Sequence, residues 1–250
     1  MSYFTIEEKR HFKKFGYVAK ENVIPEDIRS RAIDVLWDTI EADREDPDSW
    51  IDAGPKGNLG CNQHEDIGAT VHNTPVYQMA EELTGAGKLK PPSNPLCKMV
   101  YPTGHRNWQA PFGHLDGYTD PEESEAWTFS VGVTINVADV APQAGGFTCW
   151  KGSHEVVADH FRQNSLLTGY GINRRTELDL GKPLDRYEHA ATAGAVVFWH
   201  HYMLHSASMN CDQNIRMGFV TRFAFENLHD IMFDLPYNLW DQWDGLKDLA

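Results

Sequence analysis

Phe129-Ser-Val-Gly-Val-Thr-Ile-Asn-Val137 alternates strictly, with Val131, Val133, Ile135 and Val137 on one face and Gly132, Thr134 and Asn136 on the other. Successive side chains of an extended chain leave opposite faces, so this stretch reads as a β-strand. Working outward, Leu96–Tyr101, Phe147–Trp150, Ala195–Tyr202 and Met217–Phe225 give further strands, separated by Gly, Pro, Asn and Asp turns. Before about Pro95 the first 85 residues read as helical. Thr5-x-x-Glu8 fits a capping box, which satisfies two free N–H groups at a helix start. Pro25 opens a second helix with Ile28, Ala32, Val35, Leu36 and Ile40 at helical spacing. A third starts at Thr74-Pro75, carries Val76, Met79, Ala80 and Leu83, and stops at Gly85. Helices first and short strands after predict an α+β fold: a jelly-roll, or double-stranded β-helix, of antiparallel sheets braced by N-terminal helices.

At 250 residues the expectation is one domain, with helical support over 1–90, a jelly-roll core over 95–225 and a C-terminal extension over 226–250. The formal charge of −14 argues against nucleic acid and against an anionic membrane surface as partners. The charged N-terminus lacks the apolar core of a signal peptide, and no apolar run approaches a membrane span, so a cytoplasmic protein is expected. Cys61, Cys97, Cys149 and Cys211 form no C-x-x-C pair and no zinc-like spacing. The polar, glycine-rich stretch from Ala42 to Gln63 reads as a surface loop; it lacks the Lys-Ser/Thr that ends a P-loop.

Chemistry concentrates in Phe112-Gly-His-Leu-Asp-Gly-Tyr118. On an extended strand His114 and Asp116 project from the same face, so an imidazole nitrogen and a carboxylate oxygen can grip one metal ion. About ninety residues later Trp199-His-His-Tyr-Met-Leu-His205 supplies a third ligand in His205. Two histidines and one carboxylate make the facial triad of non-haem Fe(II) oxygenases, which leaves coordination positions open. Arg216 follows His205 by eleven residues, across the turn-like Ser206–Asn214. Read as a hairpin, this segment sets His205 and Arg216 on neighbouring antiparallel strands, where a buried guanidinium can hold a carboxylate with two parallel hydrogen bonds.

Together these segments resemble the phytanoyl-CoA dioxygenase family of Fe(II)- and 2-oxoglutarate-dependent oxygenases. Phe12-Lys-Lys-Phe-Gly-Tyr-Val18 with Ile24-Pro-Glu26 is similar to its opening strand and first helix. Gly145-Gly-Phe-Thr-Cys-Trp-Lys-Gly-Ser-His154 is similar to its turn into a Pro-Gly-Ser-His segment, with Trp150-Lys151 in place of the usual apolar-Pro step. Ala193–Trp199, then His205 to Arg216, resemble the closing strands. The resemblance implies that His114, Asp116 and His205 bind Fe(II) and that Arg216 anchors the far carboxylate of 2-oxoglutarate. It also implies cosubstrate hydrogen bonds from Thr134 and from Ser208, with Ser206 as the alternative, because the family's usual serine position is Ala207 here. With O₂, the implied outcome is hydroxylation of a C–H bond in a small or medium metabolite, with release of succinate and CO₂. Relatives that halogenate replace the carboxylate ligand with a small residue; Asp116 is present, which favours hydroxylation.

Two other readings stand beside this one: the same cofactors with desaturation, epoxidation or cyclisation as the outcome, and a cupin-like metal-binding module without oxygenase activity. Arg216 separates them, since a pure metal binder has no use for a carboxylate clamp. His154–His160 lacks the second histidine of H-E-x-x-H, and there is no G-x-S-x-G. His201 shares the face of His205 by strand alternation, although core packing or a hydrogen bond behind a ligand is its plainer role. Trp108, Phe112, Tyr118, Trp127, Trp150 and Trp199 lie near the metal motifs and are candidates for a pocket wall or for plain core. In Gln163–Glu188 the charges cancel, which predicts a specificity lid with no coenzyme A phosphate patch. The aromatic stretch Phe233–Trp243 has two candidate resting places, the barrel and a second subunit of a homo-oligomer.

Overall fold

The structure, a computed structural model, describes residues 2–54, 59–119, 126–164 and 184–250. In chain order the elements are α1 (Ile6–Phe15), β1 (Tyr17–Lys20), α2 (Glu26–Thr39), α3 (Glu65–His72), α4 (Val76–Thr84), β2 (Leu96–Val100), β3 (Tyr118–Thr119), β4 (Ala126–Trp127) and β5 (Val131–Asn136). They continue with β6 (Phe147–Trp150), α5 (Ser153–Gln163), β7 (Arg186–Glu188), β8 (Val196–His200), β9 (His205–Ala207), β10 (Arg216–Phe223) and α6 (Leu228–Ile231). The larger sheet runs β1-β8-β5-β10-β2 and the smaller β7-β6-β9, and every pairing in both is antiparallel. This is the expected α+β jelly-roll.

The two faces of the larger sheet have different partners. Val131, Val133 and Ile135 of β5 join Phe198 of β8 and Phe219 of β10 in the main core, with Phe12, Leu36, Val76 and Leu83 from the helices. The opposite face looks into the barrel, where Val197 and Trp199 meet Phe147 and Cys149 of the smaller sheet. Alternation along β10 assigns Met217, Phe219 and Phe223 to the helical side, and Arg216, Gly218, Val220 and Arg222 to the barrel interior. The alternating strand β5 is thus the centre of the larger sheet, hydrogen-bonded on both sides.

The Thr5 capping box forms as expected, with Glu8 reaching back to the Thr5 N–H. The N-terminal third is not wholly helical: β1 interrupts it and pairs with β8. Helix α3 follows the polar stretch without having shown a period, because Ile67, Gly68, Ala69, Thr70 and Val71 are all buried and no polar face interrupts them. Helix α5 did carry a period, His154, Val157, Ala158 and Phe161, on its buried side. All four cysteines are free. The expected lid falls largely on residues 165–183, outside the described residues. No helix among the described residues is long and apolar enough to cross a membrane.

The C-terminal aromatics pack on their own chain. Trp243 is buried beside Phe12, with ring centroids 5.5 Å apart, while Phe233 and Tyr237 stay exposed. Strand β8 ends at His200, and the chain then turns, so His201 does not share the face of His205. Instead His154, His200 and His201 form a buried cluster against Trp240 and Trp243, with His200 stacked on Trp243 at 5.4 Å. Burial holds all three neutral: His154 is pushed down to about 4, His201 to about 3, and His200 well below its ordinary value.

A pH dependence of stability follows. An unfolded chain protonates these histidines near pH 6.5, whereas the folded chain resists until pH 3–4. Their contribution is therefore fully present above pH 6.5 and is lost as pH falls toward 4, by on the order of 3 kcal/mol for His154 alone. Urea midpoints should drop steeply between pH 7 and pH 5, and His154→Gln should flatten that slope. A midpoint unchanged over this interval would rule the effect out.

Candidate metal centre

His114 and His205 stand directly opposite each other in an antiparallel bridge, each N–H donating to the other's carbonyl at 2.9 and 3.0 Å. Such a pair sends both side chains to one face, and the rings lie 4.5 Å apart. Asp116, two residues on, returns to that face. Its Oδ1 lies 3.3 Å from Nε2 of His114 and its Oδ2 3.4 Å from Nε2 of His205. Among the described residues this is the one group of metal-ligand side chains found, its ligand atoms all within 4.8 Å of one another.

Second contacts set the chemistry of each of these side chains. Nδ1 of His205 lies 3.0 Å from the Met203 carbonyl, which only an N–H can satisfy, so Nε2 keeps its lone pair for the centre. The His205 ring packs on Trp199 and stacks on Phe147, and burial pushes its pKa down despite Asp116. Burial also opposes ionisation of Asp116, but His205, His114 and Arg222 outweigh it and hold the carboxyl far below the usual range. The ring of Trp150 lies against Gly113, where a Cβ would come within 2.8 Å of it, and so braces the segment that carries His114.

Arg222 was not singled out in the sequence. Its Nε donates to Oδ2 of Asp116 at 3.0 Å and its Nη2 to the same oxygen. The signal was present in β10, where Arg222 is three alternations from Arg216 and so faces the same interior. Gly132 lies opposite both Arg222 and Trp199, and a Cβ there would sit 2.2 Å from the indole.

The triad opens into a cavity of about 500 Å³, within the range of small-molecule sites. Arg216 lines it and is buried, donating to Oδ1 of Asn136 at 3.2 Å and to the Lys98 carbonyl at 3.5 Å. Its Nε has no partner, no described carboxylate pairs with it, and burial lowers its pKa to about 10. The hydroxyl of Thr134, also on the cavity wall, is buried without a partner. A guanidinium and a hydroxyl left this way cost free energy unless a ligand completes them.

The structure brings together His114, Asp116, His205, Arg216, Thr134 and Ser208 around this one cavity. Ser208 donates to the Glu188 carboxylate, and Ser206, also on the wall, makes a 3.3 Å bond to the Ala207 carbonyl. The hairpin expected between His205 and Arg216 does not form. β9 belongs to the smaller sheet and β10 to the larger, so the two residues face each other across the barrel. Asn210 holds the crossing segment by donating to the Val100 and Asn214 carbonyls. Of the six candidate aromatics Trp199 lines the cavity and Phe112 is 82 % exposed; Phe147, outside that set, also lines the cavity. Tyr118 and Trp127 lie opposite each other in the β3–β4 pair.

No protein-family model matches the chain, and no curated protein matches it by sequence. Solved structures do match in fold. The non-heme alpha-ketoglutarate-dependent carbocyclase SnoK from nogalamycin biosynthesis is 19 % identical over 88 % of this chain and 84 % of its own, with a TM-score of 0.55. The epimerase SnoN, in complex with Fe³⁺, alpha-ketoglutarate and nogalamycin RO, is 16 % identical over 88 % and 82 %, with a TM-score of 0.58. HygX from Streptomyces hygroscopicus, with nickel and 2-oxoglutarate bound, is 12 % identical over 89 % and 88 %, with a TM-score of 0.56. At these identities the likeness is one of fold.

Arg222→Met tests the hold on Asp116. It keeps the apolar stem and removes the fork, so Co(II) affinity measured by calorimetry should fall about 10- to 100-fold, as when outer partners of metal ligands are lost. Unchanged affinity would show that Asp116 needs no such hold. Tighter binding would show that the arginine competes with the metal for the carboxylate.

Proposed function

We propose that the chain is a non-haem Fe(II)- and 2-oxoglutarate-dependent oxygenase acting on a small or medium-sized molecule, of the phytanoyl-CoA dioxygenase type. The observation that carries this reading is Arg216, a buried guanidinium without a carboxylate partner among the described residues, on the wall of the cavity that holds His114, Asp116 and His205. A dicarboxylic 2-oxo acid has the chemistry to engage both: an oxo-acid end for a metal and a far carboxylate for an arginine.

The donor set fits the metal. Two imidazoles and one carboxylate suit Fe(II), and the tautomer fixed at His205 presents the right nitrogen. His114, Asp116 and His205 would hold the ion, Arg222 would keep Asp116 oriented, and Arg216 with Thr134 would hold the far carboxylate. When bound, iron and 2-oxoglutarate supply O₂-dependent oxidation of a C–H bond, with succinate and CO₂ as coproducts. The chain's own work is orientation and shielding, with Trp199 and Phe147 forming the dry wall behind His205. Ser208 would join only by sharing or leaving its bond to Glu188, and Ser206 remains the alternative.

Hydroxylation is the favoured outcome, because Asp116 fills the position a halide would need. A second outcome among desaturation, epoxidation and cyclisation, namely cyclisation, is supported by the carbocyclase among the structures of like fold. Product mass separates the two. The cavity size and the nogalamycin RO and hygromycin B bound by fold neighbours support a free metabolite as substrate.

Anaerobic titration of the metal-free protein with Fe(II) and then 2-oxoglutarate should produce the weak visible band of the iron chelate. His114→Ala should abolish the band, and Arg216→Ala should weaken 2-oxoglutarate binding by about tenfold or more, the loss of a charge-assisted pair. Iron uptake without a band would leave a metal-binding module and defeat the oxygenase reading.

A further inference from the structure

Two of the four free thiols touch. Sγ of Cys61 and Sγ of Cys97 lie 3.2 Å apart, the one pair of cysteine sulfurs in hydrogen-bond contact among the described residues. They stand 36 residues apart in the chain, and separate pieces of scaffolding bring them together. Cys61 opens the short 3-10 turn Cys61–Gln63 that leads into α3. Cys97 sits on β2, where alternation sends it to the helical side while Lys98 and Val100 line the cavity. Asn94, just ahead of β2, ties the two segments to each other. Its Nδ2 donates to the Asn62 carbonyl at 2.9 Å, and its Oδ1 lies 2.8 Å from Nε2 of His72 in α3. The thiols therefore meet at a junction that is held on both sides.

The two differ in access. Cys61 is half-buried, so a small oxidant can reach it, whereas Cys97 is fully buried. Burial, with the contact to Cys61, pushes the Cys97 thiol far up, so it stays protonated and reacts only with a group already beside it. That order suits a two-step oxidation. A peroxide oxidises the Cys61 thiol to a sulfenic acid and is itself reduced, releasing water. The Cys97 sulfur then attacks the Cys61 sulfur: the S–O bond breaks, an S–S bond forms, and the leaving hydroxide takes the Cys97 proton as a second water. In sum the two thiols give two electrons and two protons to one molecule of peroxide. The bond would fasten β2 to the turn before α3. β2 is an edge strand of the larger sheet, paired only with β10 among the described strands, so its outer side has no ladder to hold it.

We propose that Cys61 and Cys97 are a redox modification site, a dithiol that a peroxide converts to a disulfide, clamping the edge strand of the cavity wall to the helical layer. The site stands apart from the oxygenase reading and needs no metal.

The test uses the whole metal-free chain in a chelator, treated with hydrogen peroxide and read by thiol counting and peptide mass spectrometry. Free thiols should fall from four to two, the loss of that pair, with Cys61 and Cys97 in one cross-linked peptide that dithiothreitol releases. Dimedone, which captures sulfenic acids, should label Cys61 in Cys97→Ser and leave it unlabelled in the wild type. Cys61→Ser should leave Cys97 a thiol. The wild-type peptide map decides the matter even where Cys97→Ser fails to fold. The cross-link shortens the free loop of the unfolded chain, so the oxidised wild type should unfold at a higher urea midpoint than the reduced. Cys61 carried to sulfinic acid with Cys97 still a thiol would overturn the proposal, and so would a cross-link from either residue to Cys149, Cys211 or a second chain. A urea midpoint at or below the reduced value would overturn the clamp.

Discussion

The backbone bridge between His114 and His205 is the constraint on which the rest of the site depends. Two reciprocal N–H···O=C bonds fix the residues opposite one another, so their rings share a face before any metal is considered. Strand period then returns Asp116 to the same place. The bridge is itself held from both sides: Cys149 of β6 pairs with His205, and Trp199 lies beneath its ring. A register slip of one residue would turn these side chains to the other face. The packing of Phe147, Trp199 and Cys149 is therefore part of the geometry of the triad as well as part of the core.

The second constraint is electrostatic. Burying Arg216 without a carboxylate partner among the described residues, on the same cavity wall as the unpartnered Thr134 hydroxyl, is unfavourable in the folded chain by itself. The fold tolerates it because the larger sheet is stabilised elsewhere, on its helical face, by Val131, Val133, Ile135, Phe198 and Phe219. One face of β5 and β10 supplies stability and the opposite face holds polar groups in a state suited to a ligand. The alternation of a β-strand makes this separation available at every second residue. Gly132 and Gly218 extend it, giving up side-chain volume so that Trp199 and Arg216 fit on the interior side.

Fold likeness and site chemistry carry different weight here. The structures of like fold include a carbocyclase and an epimerase, so the architecture by itself does not select an outcome. What bears on chemistry is in this chain: the three side chains that could hold a metal, the His205 Nδ1 contact, and the buried Arg216 on the cavity wall.

The sequence by itself determined the strand within Phe129–Val137, the helix starts at Thr5 and Pro25, the class of fold, and the candidate residues His114, Asp116, His205 and Arg216, which the structure gathers around one cavity. Each of these is written in local period or local spacing, which a single chain displays directly. Helix α3 was hidden because a helix buried on all sides has no polar face to mark its period. Only the tertiary structure decided that His205 and Arg216 sit on different sheets, that His201 turns away into a cluster with Trp243, and that Arg222 grips Asp116. These facts depend on which strands become neighbours and where a strand ends. Pairing over a hundred residues of sequence is set by the packing of whole sheets and leaves no local mark on the residues it joins.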